Sequence, residues 1–260
     1  MELPTRGVFK QTSSKSHRNL HYINPHKILL GVVNPNRVMK HLALLAAKWS
    51  LGLLDELAAK DAIFSCDVGT PTIWAARYLT MNGTRRLLGS FNHGSMASAL
   101  PQAIGAQICH PGRQVISLSG DGGIAMLMGD LLSLRQLQSP VKVIVFKNNA
   151  LAFVELEMKA AGIPEFATDL HNPNFAKMAE AAGLLGLTVE TPDQVRPMIT
   201  QALNHDGPAL VEVLVHRQEL MMPPKIGLDQ ATGFGLFMLK ALISGHGDEI
   251  IDLAKINLFR

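Results

Sequence analysis

Cysteine is scarce in this chain, and its scarcity excludes one class of protein. Only Cys66 and Cys109 occur among 260 residues. Two cysteines do not build the disulfide framework of a small secreted domain, and they are typical of buried thiols in a reducing compartment. The N-terminal stretch also lacks the continuous apolar core of a signal peptide, so we expect no export. The expected location is the cytoplasm.

Long apolar runs and concentrated charge are also missing. The stretch HLALLAAKWSLGLL contains Lys48, which indicates a helix packed on a core and not a membrane span. The formal net charge is only +3 and the basic residues are scattered, so we expect no nucleic-acid binding. No Walker-type combination of glycine, lysine and serine occurs, which disfavours a nucleotide-binding module of unrelated type.

What the sequence does contain is a regular alternation of helical and strand patterns. Residues 1–38 lack periodicity and are expected to form a poorly ordered leader. From residue 39, helical patterns such as IAMLMGDLLSLRQLQ alternate with short apolar runs such as AIFSCDVG, RQVISLS and VKVIVFK. Over residues 39–235 this predicts an α/β fold, a doubly wound and mostly parallel sheet of about six strands with helices on both faces. Residues 236–260 leave the pattern and predict a C-terminal amphipathic helical segment.

A carboxylate between glycines marks the end of one predicted strand. Asp121 stands among Gly120, Gly122 and Gly123, and Asn148 ends the next strand 27 residues later. Ligands of open parallel sheets bind at the carboxyl ends of the strands, so both side chains are expected to face one crevice. A carboxylate, an amide oxygen and a backbone carbonyl suit Mg²⁺ that escorts a diphosphate, and the glycines would let phosphate oxygens approach the backbone. The alternative for the glycines and Asp121 alone is an ordinary turn.

This pairing, followed by Asn149, resembles the thiamine diphosphate and Mg²⁺ motif of thiamine-dependent 2-oxo-acid enzymes. From DAIFSCDVGTPTIWAARYL through RRLLGSFNHGSMASALPQAIGAQ to ISGHGDEIIDLAKINLFR, residues 60–260 resemble the C-terminal cofactor-binding domain of the bacterial pyruvate oxidases, or pyruvate dehydrogenases (quinone). The resemblance implies a thiamine diphosphate-binding fold and oxidative decarboxylation of pyruvate to acetate and CO₂, with ubiquinone as electron acceptor.

The resemblance also implies roles for individual residues. Mg²⁺ would be bound by Asp121, Asn148 and the backbone carbonyl of Ala150. The cofactor would be contacted by Gly69, Gly94, Ser95, Met96, Asp121, Gly122, Gly123, Asn148, Asn149, Ala150, Leu151 and Ala152. Met96 would bend the cofactor by standing between its two rings, and Phe153 matches a mobile aromatic residue of the active site.

Some of these residues also have simpler interpretations, and two positions depart from the family pattern. Met96 and Phe153 are equally compatible with core packing, and His93 with a local hydrogen bond. Lys147 stands where the family usually has asparagine, and it is expected to disturb the diphosphate end. Ala152 stands where glycine is frequent, so its backbone must adopt a geometry that a Cβ allows.

The resemblance implies further domains and partners that a working enzyme of this family needs. The family's pyrimidine-binding and FAD-binding domains find no match here, so we expect a truncated or split enzyme that needs a partner chain or a homo-oligomer. The alternative is a fragment that binds thiamine diphosphate without catalysis. In residues 250–258 the apolar side chains share one helical face, which the resemblance links to membrane lipid and quinone at the inner face of the cell membrane. Packing of that helix on its own domain is an equal alternative.

Overall fold

The computed structural model describes residues 46–217 and 228–243, together with Ile250. The predicted leader, residues 1–38, and most of the segment 250–258 lie outside the described residues. The strands are β1 (Ile63–Cys66), β2 (Arg86–Gly89), β3 (Val115–Gly120), β4 (Lys142–Lys147), β5 (Leu185–Val189) and β6 (Ala209–Leu214). The helices are α1 (Ala46–Leu57), α2 (Thr70–Tyr78), α3 (Ala99–Cys109), α4 (Asp121–Met126), α5 (Asp130–Gln136), α6 (Ala152–Ala160), α7 (Phe175–Ala181), α8 (Pro192–Asn204) and α9 (Leu228–Ile243).

The six strands form one sheet in the order β2-β1-β3-β4-β6-β5. Every neighbouring pair is parallel. Because β1 lies between β2 and β3, the chain builds one side of the sheet first and then crosses back to build the other. The strand order therefore reverses beside β1, and a crevice forms where the connections after β1 and β3 diverge. The predicted doubly wound α/β fold is confirmed.

Both faces of the sheet are buried, which explains why the sequences of its strands are continuous apolar runs. In β4, Ile144 and Phe146 pack into a core with α1, α2 and α8. Val143 and Val145 point to the opposite face and pack with α3, α5 and α7. The ring of Trp74 meets that of Phe146 edge to face, with centroids 5.0 Å apart. The sheet is thus the middle of three layers, and its edges and strand ends remain for ligands.

Two helices differ from the expectation. The pattern IAMLMGDLLSLRQLQ predicts one helix, but the structure divides it into α4 and α5. That prediction is wrong because Gly129 precedes α5 and Asp130 occupies its first turn, a combination that favours a new helix start. Helix α6 was not predicted by the periodic pattern at all.

Helix α9 packs closely on α6. A Cβ on Gly233 would lie 1.9 Å from the carbonyl oxygen of Ala160, so the two backbones touch at this point. Lys240 Nζ donates a hydrogen bond of 2.8 Å to the Gly162 carbonyl oxygen, and Lys159 Nζ lies 5.4 Å from the ring centre of Phe237. The outward side of α9 exposes the apolar side chains Leu236, Leu239, Leu242 and Ile243. Among the described helices, none has both the length and the apolar character needed to cross a membrane.

The close approach of α9 predicts opposite effects for two glycines of one helix. Gly233→Ala should displace α9 from α6, because its methyl group would overlap the Ala160 carbonyl. Gly235→Ala meets no atom within 4 Å and should be neutral or stabilising by up to about 1 kcal/mol, since alanine favours helices. Amide hydrogen exchange in residues 228–243 should accelerate only in the first variant. Equal exchange in both variants would contradict the observed packing.

A buried lysine lies at the opposite end of the sheet from the crevice. Lys142 begins β4, and its Nζ donates hydrogen bonds to the carbonyl oxygens of His205 and Gly207. The side chain is almost wholly buried. Burial lowers the pKa of Lys142 to about 8 from an ordinary value of 10.5, and the charge of Asp206 opposes that shift. The folded protein therefore releases this proton at lower pH than the unfolded chain does.

This pKa predicts the sign of a pH effect on stability. Between about pH 8 and pH 10.5 the unfolded chain binds more protons at Lys142 than the folded protein, so the free energy of unfolding should rise with pH. The rise should total on the order of 3 kcal/mol and be missing in Lys142→Met. Urea denaturation at pH 7.5 and 10.5 measures it, with exposed Lys60→Met as control. A constant difference between wild type and Lys142→Met would refute the assignment.

Candidate cofactor site

The crevice lies at the carboxyl ends of β1, β3 and β4, where α2, α4 and α6 begin. It contains about 440 Å³ of free space, part of it open to solvent. Three helix N-termini face it, and the positive dipole ends of helices favour an anionic ligand. The lining residues are Asp67, Val68, Gly69, Thr70, Pro71, Met96, Gly120, Asp121, Gly122, Gly123, Phe146, Asn148, Ala150, Leu151, Ala152, Phe153 and Val154.

The carboxylate of Asp121 lies at the centre of the hydrogen bonding in this crevice. Its Oδ1 accepts from the amide of Gly122 at 2.9 Å. Its Oδ2 accepts from the amides of Asn148 and Asn149 at 3.1 and 2.6 Å, and from Nδ2 of Asn172 at 2.8 Å. The side chain is 2% exposed, and burial raises the pKa of the Asp121 carboxyl, opposed by these hydrogen bonds. The expected meeting of Asp121 and Asn148 in one crevice is what the structure shows.

The loop after β4 has the backbone geometry that asparagine tolerates. Asn149 has a φ of 57°, in the left-handed region that asparagine adopts more readily than most residues. Asn148 Oδ1 accepts a hydrogen bond of 3.0 Å from the amide of Ala150. Ala150 then forms an isolated antiparallel bridge with Asp169. These contacts hold the Asn148 amide oxygen and the Ala150 backbone beside Asp121.

The donor set of this loop fits a hard divalent cation. Among the described residues, no cationic side chain forms an ion pair with the buried Asp121 carboxylate. A cation would supply that missing charge. In the same part of the chain, no group of three or more His, Cys, Asp and Glu side chains is placed to hold a metal. The predicted ligands Asp121, Asn148 and Ala150, the last through its carbonyl oxygen, could still hold Mg²⁺, because oxygen is the ligand that Mg²⁺ prefers.

Protein side chains pack closely on the glycines after Asp121. A Cβ on Gly122 would lie 2.8 Å from Leu151 Cδ2 and 3.2 Å from Met96 Cε. A Cβ on Gly123 would lie 2.2 Å from Asp67 Oδ2. We expected these glycines to leave space for phosphate oxygens at the backbone. On the side where a Cβ would point, the structure instead shows protein side chains.

Gly69 is required by backbone conformation. It precedes α2 with φ 138° and ψ −154°, a conformation essentially confined to glycine. Its backbone lines the crevice next to Pro71, which occupies the first turn of α2. The connection from β1 into the crevice therefore depends on this glycine.

The HGSM segment is only partly in the crevice. Met96 is half-buried and lines it, close to Gly122. Gly94 and Ser95 are exposed and are not among the lining residues, and His93 is exposed too. The structure thus brings Met96 to the site and leaves its two predicted companions on the adjoining turn.

Helix α6 brings its first residues to the crevice. Leu151, Ala152 and Phe153 all line it, and Phe153 is half-buried. Ala152 is not among the residues with positive φ, so its Cβ is accommodated without strain. The departure from glycine at this position therefore has a simple structural basis.

Lys147 is directed to a buried carboxylate. Its Nζ lies 2.7 Å from Glu212 Oε1, donates to the carbonyl oxygen of Pro173 at 2.8 Å, and lies 5.7 Å from the ring centre of Phe175. Glu212 is 1% exposed, and its second oxygen accepts from the amide of Ala176. Lys147 is not among the residues lining the crevice. Its ammonium neutralises Glu212 between β4 and β6, and the geometry gives no support to the expected disturbance of a diphosphate.

Sequence reasoning missed two side chains that hold the loops of the site together, those of Asp67 and Asn172. Asp67 lines the crevice at the end of β1, and burial raises the pKa of its carboxyl. A strand that ends in an aspartate followed by Gly69 repeats the signal that identified Asp121, so the pattern was available. Asn172 donates to Asp121 from a segment with no motif. It reaches the site through the bridge between Ala150 and Asp169, which no local pattern announces.

Comparisons with known proteins agree with this geometry. Residues 67–213 match the model of the family described as thiamine pyrophosphate enzyme, C-terminal TPP binding domain. The "Putative thiamine pyrophosphate-containing protein YdaP" of Bacillus subtilis (strain 168) is 36% identical over 202 residues, covering 78% of this chain and 35% of that protein. Acetolactate synthase 1, chloroplastic, of Oryza sativa subsp. japonica is 32% identical over 186 residues, covering 68% of this chain and 29% of that enzyme. Acetolactate synthase of Bacillus subtilis (strain 168) is 34% identical over 151 residues, covering 58% and 26%.

The matched region contains the whole crevice, from Asp67 to the end of the sheet. The chain spans about a third of the length of these curated relatives. Since the family model covers more than half of the chain, the assignment does not depend on any one relative. The chain belongs to the thiamine pyrophosphate enzymes and carries their C-terminal TPP-binding domain.

Proposed function

We propose that this chain binds thiamine diphosphate with Mg²⁺ in the crevice and serves a thiamine-dependent oxidoreductase that converts pyruvate to acetate and CO₂. The observation that supports the binding step is the buried Asp121 carboxylate. It is surrounded by N–H donors, and among the described residues no cationic side chain pairs with it. A buried carboxylate that pairs with no cationic side chain among the described residues is suited to bind a cation.

The residues of the crevice divide the binding task between them. Asp121, Asn148 and the Ala150 carbonyl would hold Mg²⁺, which neutralises the diphosphate. The first turns of α2 and α6 would favour the diphosphate charge. The chemistry that thiamine diphosphate supplies when bound is a ring carbanion that adds to the carbonyl of a 2-oxo acid and stabilises the charge left by loss of CO₂. Met96, Leu151 and Phe153 would give the ring an apolar wall that excludes water.

The choice of pyruvate and of a quinone acceptor rests on the resemblance of residues 60–260 to the pyruvate oxidases. FAD would belong to a separate domain of such an enzyme. The names of the relatives favour a second candidate, formation of acetolactate. A third candidate is a domain that binds the cofactor without catalysis. The three candidates use the same cofactor site and differ in the products that they form.

We further propose that catalysis requires a homo-oligomer or a partner chain carrying pyrimidine-binding and flavin-binding domains. The open side of the crevice supports this, because solvent reaches it. The proposed location is the cytoplasm, with peripheral attachment to the inner face of the cell membrane through the C-terminal region, where ubiquinone and lipid would be met. The exposed apolar side of α9, with Leu239 and Ile243, supports that attachment.

Binding of the cofactor is the first test. Thiamine diphosphate at about 100 times its dissociation constant should raise the free energy of unfolding by about 2.7 kcal/mol in the presence of Mg²⁺. The increase should vanish with EDTA and in Asp121→Ala, because both remove the cation. Thermal melting with and without ligand measures it, and Asp193→Asn, an exposed carboxylate of α8, is the matched control. A cooperative melt with no Mg²⁺-dependent shift would refute the proposed function.

The products distinguish the three candidates. The chain, mixed with a partner that supplies pyrimidine-binding and flavin-binding domains, should reduce an electron-accepting dye when pyruvate is added and should release acetate and CO₂. Phospholipid vesicles and ubiquinone should accelerate the reaction if the C-terminal region meets lipid. Acetolactate without dye reduction would favour the second candidate, and binding without turnover under every partner would favour the third.

A further inference from the structure

The carboxylate of Asp67 joins two loops of the crevice. Asp67 is 2% exposed and directly follows β1. Its Oδ1 accepts a hydrogen bond of 2.8 Å from the amide of Ala99, the first residue of α3. Ser98, at the N-cap position of α3, makes no capping hydrogen bond with its side chain. Asp67 therefore caps α3 from a distant part of the chain, with the negative charge that a helix N-terminus favours.

The second oxygen of Asp67 lies against the other loop. Among the described residues, Oδ2 has no hydrogen-bond partner, although it is buried. A Cβ on Gly123 would lie 2.2 Å from this oxygen and 3.5 Å from the amide nitrogen of Ala97. The carboxylate is thus inserted between the start of α4 and the segment that precedes α3. One oxygen therefore accepts from the start of α3 while the other packs on α4, so a single buried carboxylate contacts both segments.

The segment that Asp67 holds carries Met96. Ala97 has a φ of 61°, a strained value for a residue with a Cβ, so this segment needs external support. The amide of Val68, next to Asp67, donates to the carbonyl oxygen of Ser95 at 3.4 Å. Met96 Cε reaches the Cβ side of Gly122, one residue before the glycine that touches Asp67. The position of the Met96 side chain in the crevice therefore depends on contacts made by residues 67 and 68.

We propose that Asp67 is a positioning residue of the cofactor site, which clamps residues 95–99 against the Gly122–Gly123 turn and so fixes Met96 in the crevice. The inference rests on the proposed function, since it assigns Asp67 to the binding of thiamine diphosphate. Removing the carboxylate frees the α3 amide and leaves Ala97 without its support. The segment then moves away from Gly122, and the apolar wall of the crevice opens.

The first measurement tests the position of the Met96 side chain in the absence of any cofactor. Mass spectrometry follows the oxidation of methionines by hydrogen peroxide in wild type, Asp67→Ala and Asp67→Asn. Met96 should be oxidised several-fold faster in Asp67→Ala. Met126, which is 63% exposed, should keep its rate and serves as the internal reference. Asp67→Asn keeps an oxygen that accepts from Ala99 and should restore most of the protection, which a mere loss of stability at this position would not produce.

The second measurement is the affinity for thiamine diphosphate in saturating Mg²⁺, by titration calorimetry. Asp67→Ala should weaken binding about tenfold or more, the size seen when a partner that orients a binding group is lost. Asp67→Asn should lie closer to wild type. Asp193→Asn should change neither affinity nor oxidation. If wild type itself does not bind, the proposed function fails, whereas the oxidation result still decides the clamp.

Unchanged Met96 oxidation and unchanged affinity in a folded Asp67→Ala would overturn the proposal. If Asp67→Ala does not fold, Asp67→Ser takes its place, because its hydroxyl is too short to reach the Ala99 amide but fills part of the space. If that variant is unfolded as well, Gly123→Ala displaces the same carboxylate from the other side, with Gly129→Ala, which meets no atom within 4 Å, as control. Protected Met96 in Gly123→Ala would then count against the clamp.

Discussion

The crevice depends on one buried carboxylate that accepts hydrogen bonds from three separate segments. Asp121 accepts from Gly122 at the start of α4, from the amides of Asn148 and Asn149 after β4, and from Asn172 in a later segment. A buried negative charge satisfied in this way holds each donor in a fixed place, since loss of the acceptor would leave several buried N–H groups unpaired. The loops that would carry Mg²⁺ and diphosphate are therefore ordered by the residue that would bind the metal.

The position of Asp121 and Asn148 was predictable because neighbouring parallel strands end at the same edge of the sheet. The strand order places β3 beside β4, so two residues that follow consecutive strands in the sequence also lie close together in space. The local signal at Asp67 was available, but its place beside Asp121 required more, because β1 has both β2 and β3 as neighbours in space and β2 comes between β1 and β3 in the sequence. Recognising it needed the reversal of strand order, a property of the whole sheet. The contact of Asn172 with Asp121 could not be predicted from local sequence patterns, because it depends on the isolated bridge between Ala150 and Asp169.

Sequence reasoning identified Lys147 as a departure but not where its side chain goes. In β4, Lys147 follows Phe146, which packs into the core with α2, so its own side chain leaves the sheet on the opposite face. On that face lies Glu212, a buried carboxylate that is stable only with a partner. Strand alternation sets the face on which Lys147 lies, and the need of Glu212 for a cation gives its ammonium a partner there. That need is invisible until β4 and β6 are known to be neighbours.

Some strained and costly groups of the fold lie at the crevice. Among the described residues, four non-glycine residues have positive φ, and two of them, Ala97 and Asn149, belong to loops at this site. Within the described part of the chain, Asp67 adds a buried oxygen without a hydrogen-bond partner, and Asp121 adds a buried carboxylate that pairs with no cationic side chain. Each feature costs stability, whereas the strands behind them are packed on both faces. A fold tolerates such costs where a rigid scaffold supports them and where ligand binding offsets them, which is what a ligand site at this edge of the sheet would do.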